Sequence, residues 1–362
     1  MARRQFGGDA QGLSAVTEIR LTPPALSDDG DHALRQSWQR GTPALEVDDA
    51  RLADAIAAIV PGARLRSVTP LSGGLANTNL HLSFAGEPGD LVLRLYQRDP
   101  GQMMKEAAIA ARLDGRVPLA DYLHVEPDPE RLGAPFALLR WIDGVTLDSM
   151  LPQLEQSELD ALGETLGRLL ATMHGVRFGQ SGFLDGDLKV VEAFSPGGAG
   201  LIAFCAANLA DELVGKRLGK ARCRELMAYV ERHAGRLDHW QGPACLTHAD
   251  FGGSNILIKQ TDGTFDVAAI LDWEFAFAGS PFFDLGNLTR PPLDGRPSFL
   301  VSLERGYRTI DSSLPDDWQA LSRLVDLTAW IDFAGRPAVS QAVLDDAIAT
   351  IDRTICAVQG SL

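Results

Sequence analysis

Apolar residues recur at helical spacing through Leu159, Leu162, Leu166, Leu169, Leu170 and Met173, which predicts a helix from Gln156 to His174. Upstream the pattern differs. Apolar, strand-like runs fall around 64–71, 78–85, 91–97, 121–126 and 136–142, with one helical stretch at 102–114 between the third and fourth. A shorter amphipathic helix precedes them at 48–60, with Asp48 or Asp49 as its cap and Pro61-Gly62 as its stop. Downstream, 201–239 predicts one or two helices, and 297–310, 315–334 and 338–358 predict three more. Residues 175–200, rich in Gly and Asp, read as a loop insertion, and His174 as a cap or core residue. The pattern is that of an α+β chain: a five-stranded antiparallel lobe with one helix, then a mainly helical lobe. The expected divisions are a disordered leader over 1–45, an N-terminal lobe over 46–142 and a C-terminal lobe over 143–362.

Candidate chemistry concentrates in the second lobe. His248-Ala-Asp250-Phe-Gly-Gly-Ser-Asn255 is followed by Ile270-Leu-Asp272-Trp-Glu274. Phosphoryl transfer from ATP needs a carboxylate to orient the attacking hydroxyl and oxygen ligands to hold Mg²⁺ on the phosphates. Asp250 suits the first task, Asn255 and Asp272 the second. Ile256–Ile258 and Val267–Leu271 read as a hairpin turning at Thr261-Asp-Gly263, which would bring Asn255 and Asp272 together.

The stretch 246–286 resembles the aminoglycoside phosphotransferase and choline kinase family, small-molecule kinases related to protein kinases. The resemblance implies a protein-kinase-like bilobal fold and extends over about 65–335; its motif core is specific and its substrate half is not. Ala249 stands where the family usually has Gly after its His. Asp284, in Ser280-Pro-Phe-Phe-Asp284, matches the family's later Asp and is expected, with His248, to play a structural part bracing the catalytic loop.

The N-terminal half holds matching parts. Leu71-Ser72-Gly73-Gly74-Leu-Ala-Asn77-Thr78-Asn79 lies between two apolar runs, and its glycines would let backbone N–H groups approach phosphate oxygens. Arg94 lies inside the strand Leu91–Tyr96, where a cation is costly unless paired. Glu106, on the following helix, is its expected partner. Protein kinases commonly have Lys in this role; Arg offers a permanently charged planar fork to the phosphates. The segment around Leu139 and Trp141 corresponds by resemblance to the hinge, whose backbone pairs with adenine.

Composition narrows the partners. With 45% hydrophobic and 22% charged residues the 362-residue chain is globular, and no apolar run reaches membrane-spanning length. A net charge of −15 argues against nucleic acid. Four cysteines without C-x-x-C spacing, and the lack of a secretory h-region, fit a cytoplasmic protein, monomer or dimer, with free thiols. His233 and His239 read as solvated helix residues rather than metal ligands.

The expected function is ATP- and Mg²⁺-dependent phosphorylation of a small-molecule hydroxyl. Glu274, Asp326 and Asp332 are candidate acceptor contacts, and from 281 onward 11 acidic residues face 7 Arg and no Lys. Acidic contacts would suit an amine-bearing antibiotic or metabolite. The alternatives are an ATP-binding regulator, which would have lost the base or the metal ligands, and a nucleotidyl transferase, separable by product mass.

Overall fold

The computed structural model describes residues 45–71, 77–97, 99 and 101–357. The expected leader and Ser72, Gly73 and Gly74 lie outside these residues, Leu45 apart. Helix α1 (Asp49–Ile59) begins where the Asp48 side chain accepts the Arg51 N–H at 2.9 Å. Strands β1 (Leu65–Pro70), β2 (Thr78–Phe84) and β3 (Leu91–Leu95) follow, then helix α2 (Gly101–Leu113), β4 (Tyr122–Glu126) and β5 (Phe136–Arg140). The five strands form one antiparallel sheet in the order β1-β2-β3-β5-β4.

Strand periodicity divides the residues of this sheet between two faces. Leu91, Leu93 and Leu95 pack with Leu80, Leu82, Phe136 and Leu138 under Leu52 and Ile56 of α1. The opposite face carries Tyr96, Ala137 and Leu139 against Met103 of α2. Arg94, out of phase with the three leucines, therefore lies on the α2 side, where Glu106 waits.

Beyond the sheet come β6 (Val145–Thr146), the short helix α3 (Leu147–Met150) and α4 (Gln156–His174). Residues 175–200, expected to be loop, instead carry β7 (Arg177–Phe178), β8 (Gly182–Leu184) and β9 (Val190–Ala193). They join a second five-stranded sheet, β7-β10-β13-β8-β9, with β10 (Ala244–Thr247) and β13 (Phe277–Gly279). Strands of two to four residues are too short to set up an alternation in sequence. Gly182 is needed there, because a Cβ would stand 2.3 Å from the Glu192 carbonyl.

Where one or two helices were expected there are three: α5 (Gly197–Leu209), α6 (Glu212–Leu218) and α7 (Lys220–His233). Asp211 caps α6, and Gly219 at φ +85° separates α6 from α7. His239 is exposed, whereas His233 is half-buried with its ring 4.6 Å from that of Tyr229. The predicted hairpin is β11 (Ile256–Thr261) and β12 (Thr264–Ile270), turning at Asp262-Gly263 with φ of +51° and +85°. Helices α8 (Phe282–Leu288), α9 (Pro297–Ile310), α10 (Trp318–Gly335) and α11 (Gln341–Ala357) complete the second lobe. Among the described residues no single helix is long and apolar enough to cross a membrane.

Helix α9 crosses α4 at a backbone-to-backbone contact. A Cβ on Gly167 would stand 2.1 Å from the Leu303 carbonyl, and one on Gly306 would stand 2.0 Å from that of Glu164. This approach carries Tyr307 to His174, the last residue of α4, which is fully buried: its Nδ1 lies 2.9 Å from the Tyr307 hydroxyl and its Nε2 3.1 Å from Asp284 Oδ2.

Candidate active site

Asp284, on the first turn of α8, organises the loop after β10. Its Oδ2 accepts the His248 N–H at 2.9 Å and its Oδ1 the Ala249 N–H at 2.8 Å, while His174 holds it from behind. Two adjacent N–H groups aimed at one carboxylate bend the chain, and Ala249 takes φ +68°, a conformation that glycine adopts far more readily. His248 is buried. Its Nε2 donates to the Leu271 carbonyl at 2.8 Å, leaving Nδ1 to accept the Asp250 N–H at 3.2 Å, and its ring packs on Trp273 at 4.6 Å.

Leu271 is therefore gripped on both sides. Its N–H donates to the Asn255 carbonyl at 2.8 Å and its carbonyl accepts from His248. With that peptide fixed, the chain reverses at Asp272, which sits at φ +63° in the left-handed region. The hairpin register, Ile256 opposite Ile270, and the Leu271–Asn255 bond set Asn255 opposite the residue that precedes Asp272. Asn255 Nδ2 donates to Asp250 at both its carbonyl (2.9 Å) and Oδ2 (2.8 Å), which leaves Oδ1 as an acceptor. Asp250 is half-buried.

Arg94 joins the lobes. Its Nη2 donates to Glu106 Oε1 at 3.2 Å and to Asp272 Oδ1 at 2.7 Å. The other Glu106 oxygen accepts from the hydroxyls of Tyr96 (2.9 Å) and Tyr122 (3.0 Å). Burial pushes the Glu106 carboxyl above its usual range; Arg94 opposes that shift, Asp272 adds to it, and the two tyrosine hydroxyls oppose it. Burial likewise raises the Tyr96 and Tyr122 hydroxyls, so both stay protonated as donors. Neither tyrosine stands out in the sequence; Tyr96 stands two residues past Arg94, and period two was the available signal.

The remaining candidates fall less evenly. Asn77 is buried and donates from Nδ2 to Glu274 Oε2 at 3.3 Å, so Glu274 reaches toward the first lobe. Lys105 of α2 donates from Nζ to the carbonyls of Glu274 (2.8 Å) and Ala276 (3.1 Å). The Thr78 hydroxyl accepts the Leu45 N–H at 3.0 Å and donates to Gln97 at 2.5 Å. Leu139 is buried beside Tyr96 and Met103. Trp141 is 37% exposed, lies with its ring tilted against that of His81 at 4.3 Å, and donates its backbone N–H to the Asp90 carbonyl. Asp332 is half exposed and paired to Arg336 one turn on. Asp326 is 5% exposed and bound to Arg290 at 2.6 Å, to Asn287 at 3.0 Å and to the Trp330 indole N–H at 2.7 Å. Its charge is thus neutralised within the protein.

Among the described residues no three His, Cys, Asp or Glu side chains converge as a metal cluster. Asn255 and Asp272 offer instead a sparse pair of oxygens, the kind of donor set Mg²⁺ accepts when nucleotide phosphates and water complete its shell.

This fold and loop define a kinase-like phosphotransferase, and comparison with known proteins agrees. The model of the phosphotransferase enzyme family (APH) matches residues 67–324, so the chain belongs to that family. The GDP and kanamycin complex of APH(2")-IIIa superposes with a TM-score of 0.61 at 16% identity, covering 85% of this chain and 99% of that one. The structure of aminoglycoside phosphotransferase APH(4)-Ia gives 0.58 at 17% identity, covering 87% and 100%. At such identities these likenesses establish the fold alone. The mouse protein named acyl-CoA dehydrogenase family member 10 is 24% identical over 170 residues, 47% of this chain; the match spans only 15% of that longer protein.

Proposed function

We propose that the protein transfers the γ-phosphoryl group of ATP to a hydroxyl of a small molecule, with Mg²⁺ required. The observation that carries this reading is the arrangement of the Asn255 amide, spent through Nδ2 on Asp250 so that Oδ1 remains as an acceptor, with the Asn255 carbonyl bonded to the N–H of Leu271, the residue before Asp272. Mg²⁺ bound with the nucleotide would be held by Asn255 Oδ1 and Asp272, neutralising charge on the phosphate oxygens.

In this reading Asp250 orients the acceptor hydroxyl. As the acceptor oxygen bonds to phosphorus, the bond to the ADP oxygen breaks with its electron pair leaving on ADP, and the acceptor proton passes to Asp250. The transition state is loose, so positioning outweighs basicity. Arg94, set by Glu106, and the 72–79 loop grip the phosphates, while Leu139 and the backbone near Trp141 border the base. In this reading the lobe boundary lies near residue 142, and the nucleotide sits between the sheet and the catalytic loop. The neutralised Asp326 and outward-facing Asp332 give little support to an amine-bearing acceptor.

Incubation with ATP, Mg²⁺ and hydroxylated small molecules, read by mass spectrometry, tests the reading. A product heavier by one phosphate that disappears with EDTA is expected. A nucleotidyl adduct, or transfer that persists in EDTA, contradicts it.

A further inference from the structure

Among the described residues Arg290 is a largely enclosed cation that the reaction outlined above leaves unused. It follows α8, the seven-residue helix whose Asp284 holds the His248 and Ala249 N–H groups, so it stands about two turns from the catalytic loop's anchor. Helix α10 packs against α8 closely enough that a Cβ on Gly286 would stand 2.7 Å from the Ser322 carbonyl and 3.1 Å from Asp326 Cβ. That approach lets Asp326 take one edge of the guanidinium: Nε at 3.1 and 3.0 Å, Nη2 at 2.6 Å. The Trp330 ring lies under the guanidinium at 4.7 Å and that of Phe333 at 5.9 Å. Asp326 is held in turn by Asn287 and the Trp330 indole. Burial works against the Arg290 charge and Asp326 restores it, with the Asp250 carboxylate also acting on it.

A guanidinium fixed on one edge and one face keeps a defined free end. Among the described residues Arg290 Nη1 makes no hydrogen bond, and it is not among the enclosed polar atoms lacking a partner; the side chain keeps 19% of its surface exposed. Asp326 cancels most of the charge at long range. At short range the open N–H groups favour an anion and disfavour an ammonium group.

We propose that Arg290 is an acceptor-binding residue, and that the acceptor is a small alcohol bearing a carboxylate or phosphate close to the hydroxyl that Asp250 orients. This rests on the phosphotransferase reading above. Arg290 Nη1 binds the anionic group, and Asp326, Trp330 and Asn287 hold the guanidinium in place. The neutralised Asp326 follows from this arrangement: its task is to aim Arg290.

Four probes of similar size test the charge preference with MgATP: 3-hydroxybutyrate, glycerol 3-phosphate, 3-amino-1-propanol and 1,3-butanediol. The wild type should phosphorylate at least one anionic probe with kcat/KM ten-fold or more above the amine and the diol. The first two probes separate a carboxylate from a phosphate. Arg290→Lys should raise KM for the anionic probe ten-fold or more with kcat changed much less, since a lysine lacks the fork that Asp326 holds. Arg290→Gln/Asp326→Asn removes both charges together and avoids a lone buried carboxylate. That variant should still bind MgATP and should lose the preference for the anion. Preference for the amine or the diol, or an unchanged KM in a folded Arg290→Lys, overturns the inference and leaves the kinase reading standing. Bound MgATP with no phosphate transferred to any of the four probes or to the broader hydroxyl panel counts against the kinase reading, and the inference falls with it.

Discussion

Arg94 and Asp272 lie 178 residues apart in sequence, yet Arg94 Nη2 meets Asp272 Oδ1 at 2.7 Å while also holding Glu106. One guanidinium thus links the sheet, helix α2 and the end of the β11–β12 hairpin.

Removing Glu106 tests this link. Glu106→Ala leaves a 13%-exposed cation with one partner instead of two and strands the hydroxyls of Tyr96 and Tyr122. Breaking a buried pair costs about 3–5 kcal/mol, and the surviving Asp272 contact places the expected loss near the lower end. Urea denaturation should show it together with weaker MgATP binding by calorimetry. In a double-mutant cycle Arg94→Ala and Glu106→Ala should couple by about 0.5–3 kcal/mol. Strict additivity would mean the pair contributes no mutual energy.

The catalytic loop carries strain at Ala249, held at φ +68° by two neighbouring N–H bonds to Asp284. A left-handed L-residue costs about 1–2 kcal/mol, partly offset by the roughly 0.4–1 kcal/mol of chain entropy that glycine adds to the unfolded state. Ala249→Gly should therefore raise stability by up to about 1.6 kcal/mol, seen as a higher Tm. A clear fall in Tm would mean the loop adopts another backbone.

How much was legible in the sequence follows from how local each signal is. Asp250, Asn255, Asp272 and Asp284 sit at short spacings along two loops, and the hairpin between them announced itself through Thr261-Asp-Gly263. Arg94 was legible as a cation inside an apolar strand. Glu274 was expected at the acceptor and its Oε2 accepts from Asn77; Asp326 was expected to meet an amine and is bound to Arg290. Those outcomes depend on which distant element packs alongside, and no spacing within a helix records that. The three strands within 175–200 escaped notice because each is shorter than one period of alternation.

The α4–α9 crossing was equally hidden, since Gly167 inside a helical pattern reads only as a weak helix former. Gly167→Ala would place a methyl 2.1 Å from the Leu303 carbonyl. Forcing extra atoms into a packed core costs about 1–3 kcal/mol, more where backbone must move. A Tm drop is expected, with His174 disturbed through Tyr307; an unchanged Tm would mean the helices sit farther apart.

Thiol reactivity reports the core independently. Cys205, Cys223 and Cys245 are buried and Cys356 is exposed. Burial pushes the Cys205 thiol up to about 12 and Cys245 up as well. At pH 8 roughly one Cys205 in ten thousand would be thiolate, the reactive form. Ellman's reagent should therefore titrate one thiol rapidly in the native protein and four after denaturation. Rapid reaction of three or four native thiols would contradict the packing around β10 and α5.

The most direct test of the central claim is Mg²⁺-dependent phosphate transfer by Asp250→Asn, measured beside its MgATP affinity. Loss of one acid–base group typically costs about 10²–10⁴ in rate. A loss of that order is expected with MgATP Kd within a few-fold of wild type, because Asp250 orients the acceptor and leaves the nucleotide to Arg94, Asn255 and Asp272. Transfer at the wild-type rate in a folded Asp250→Asn protein would contradict it.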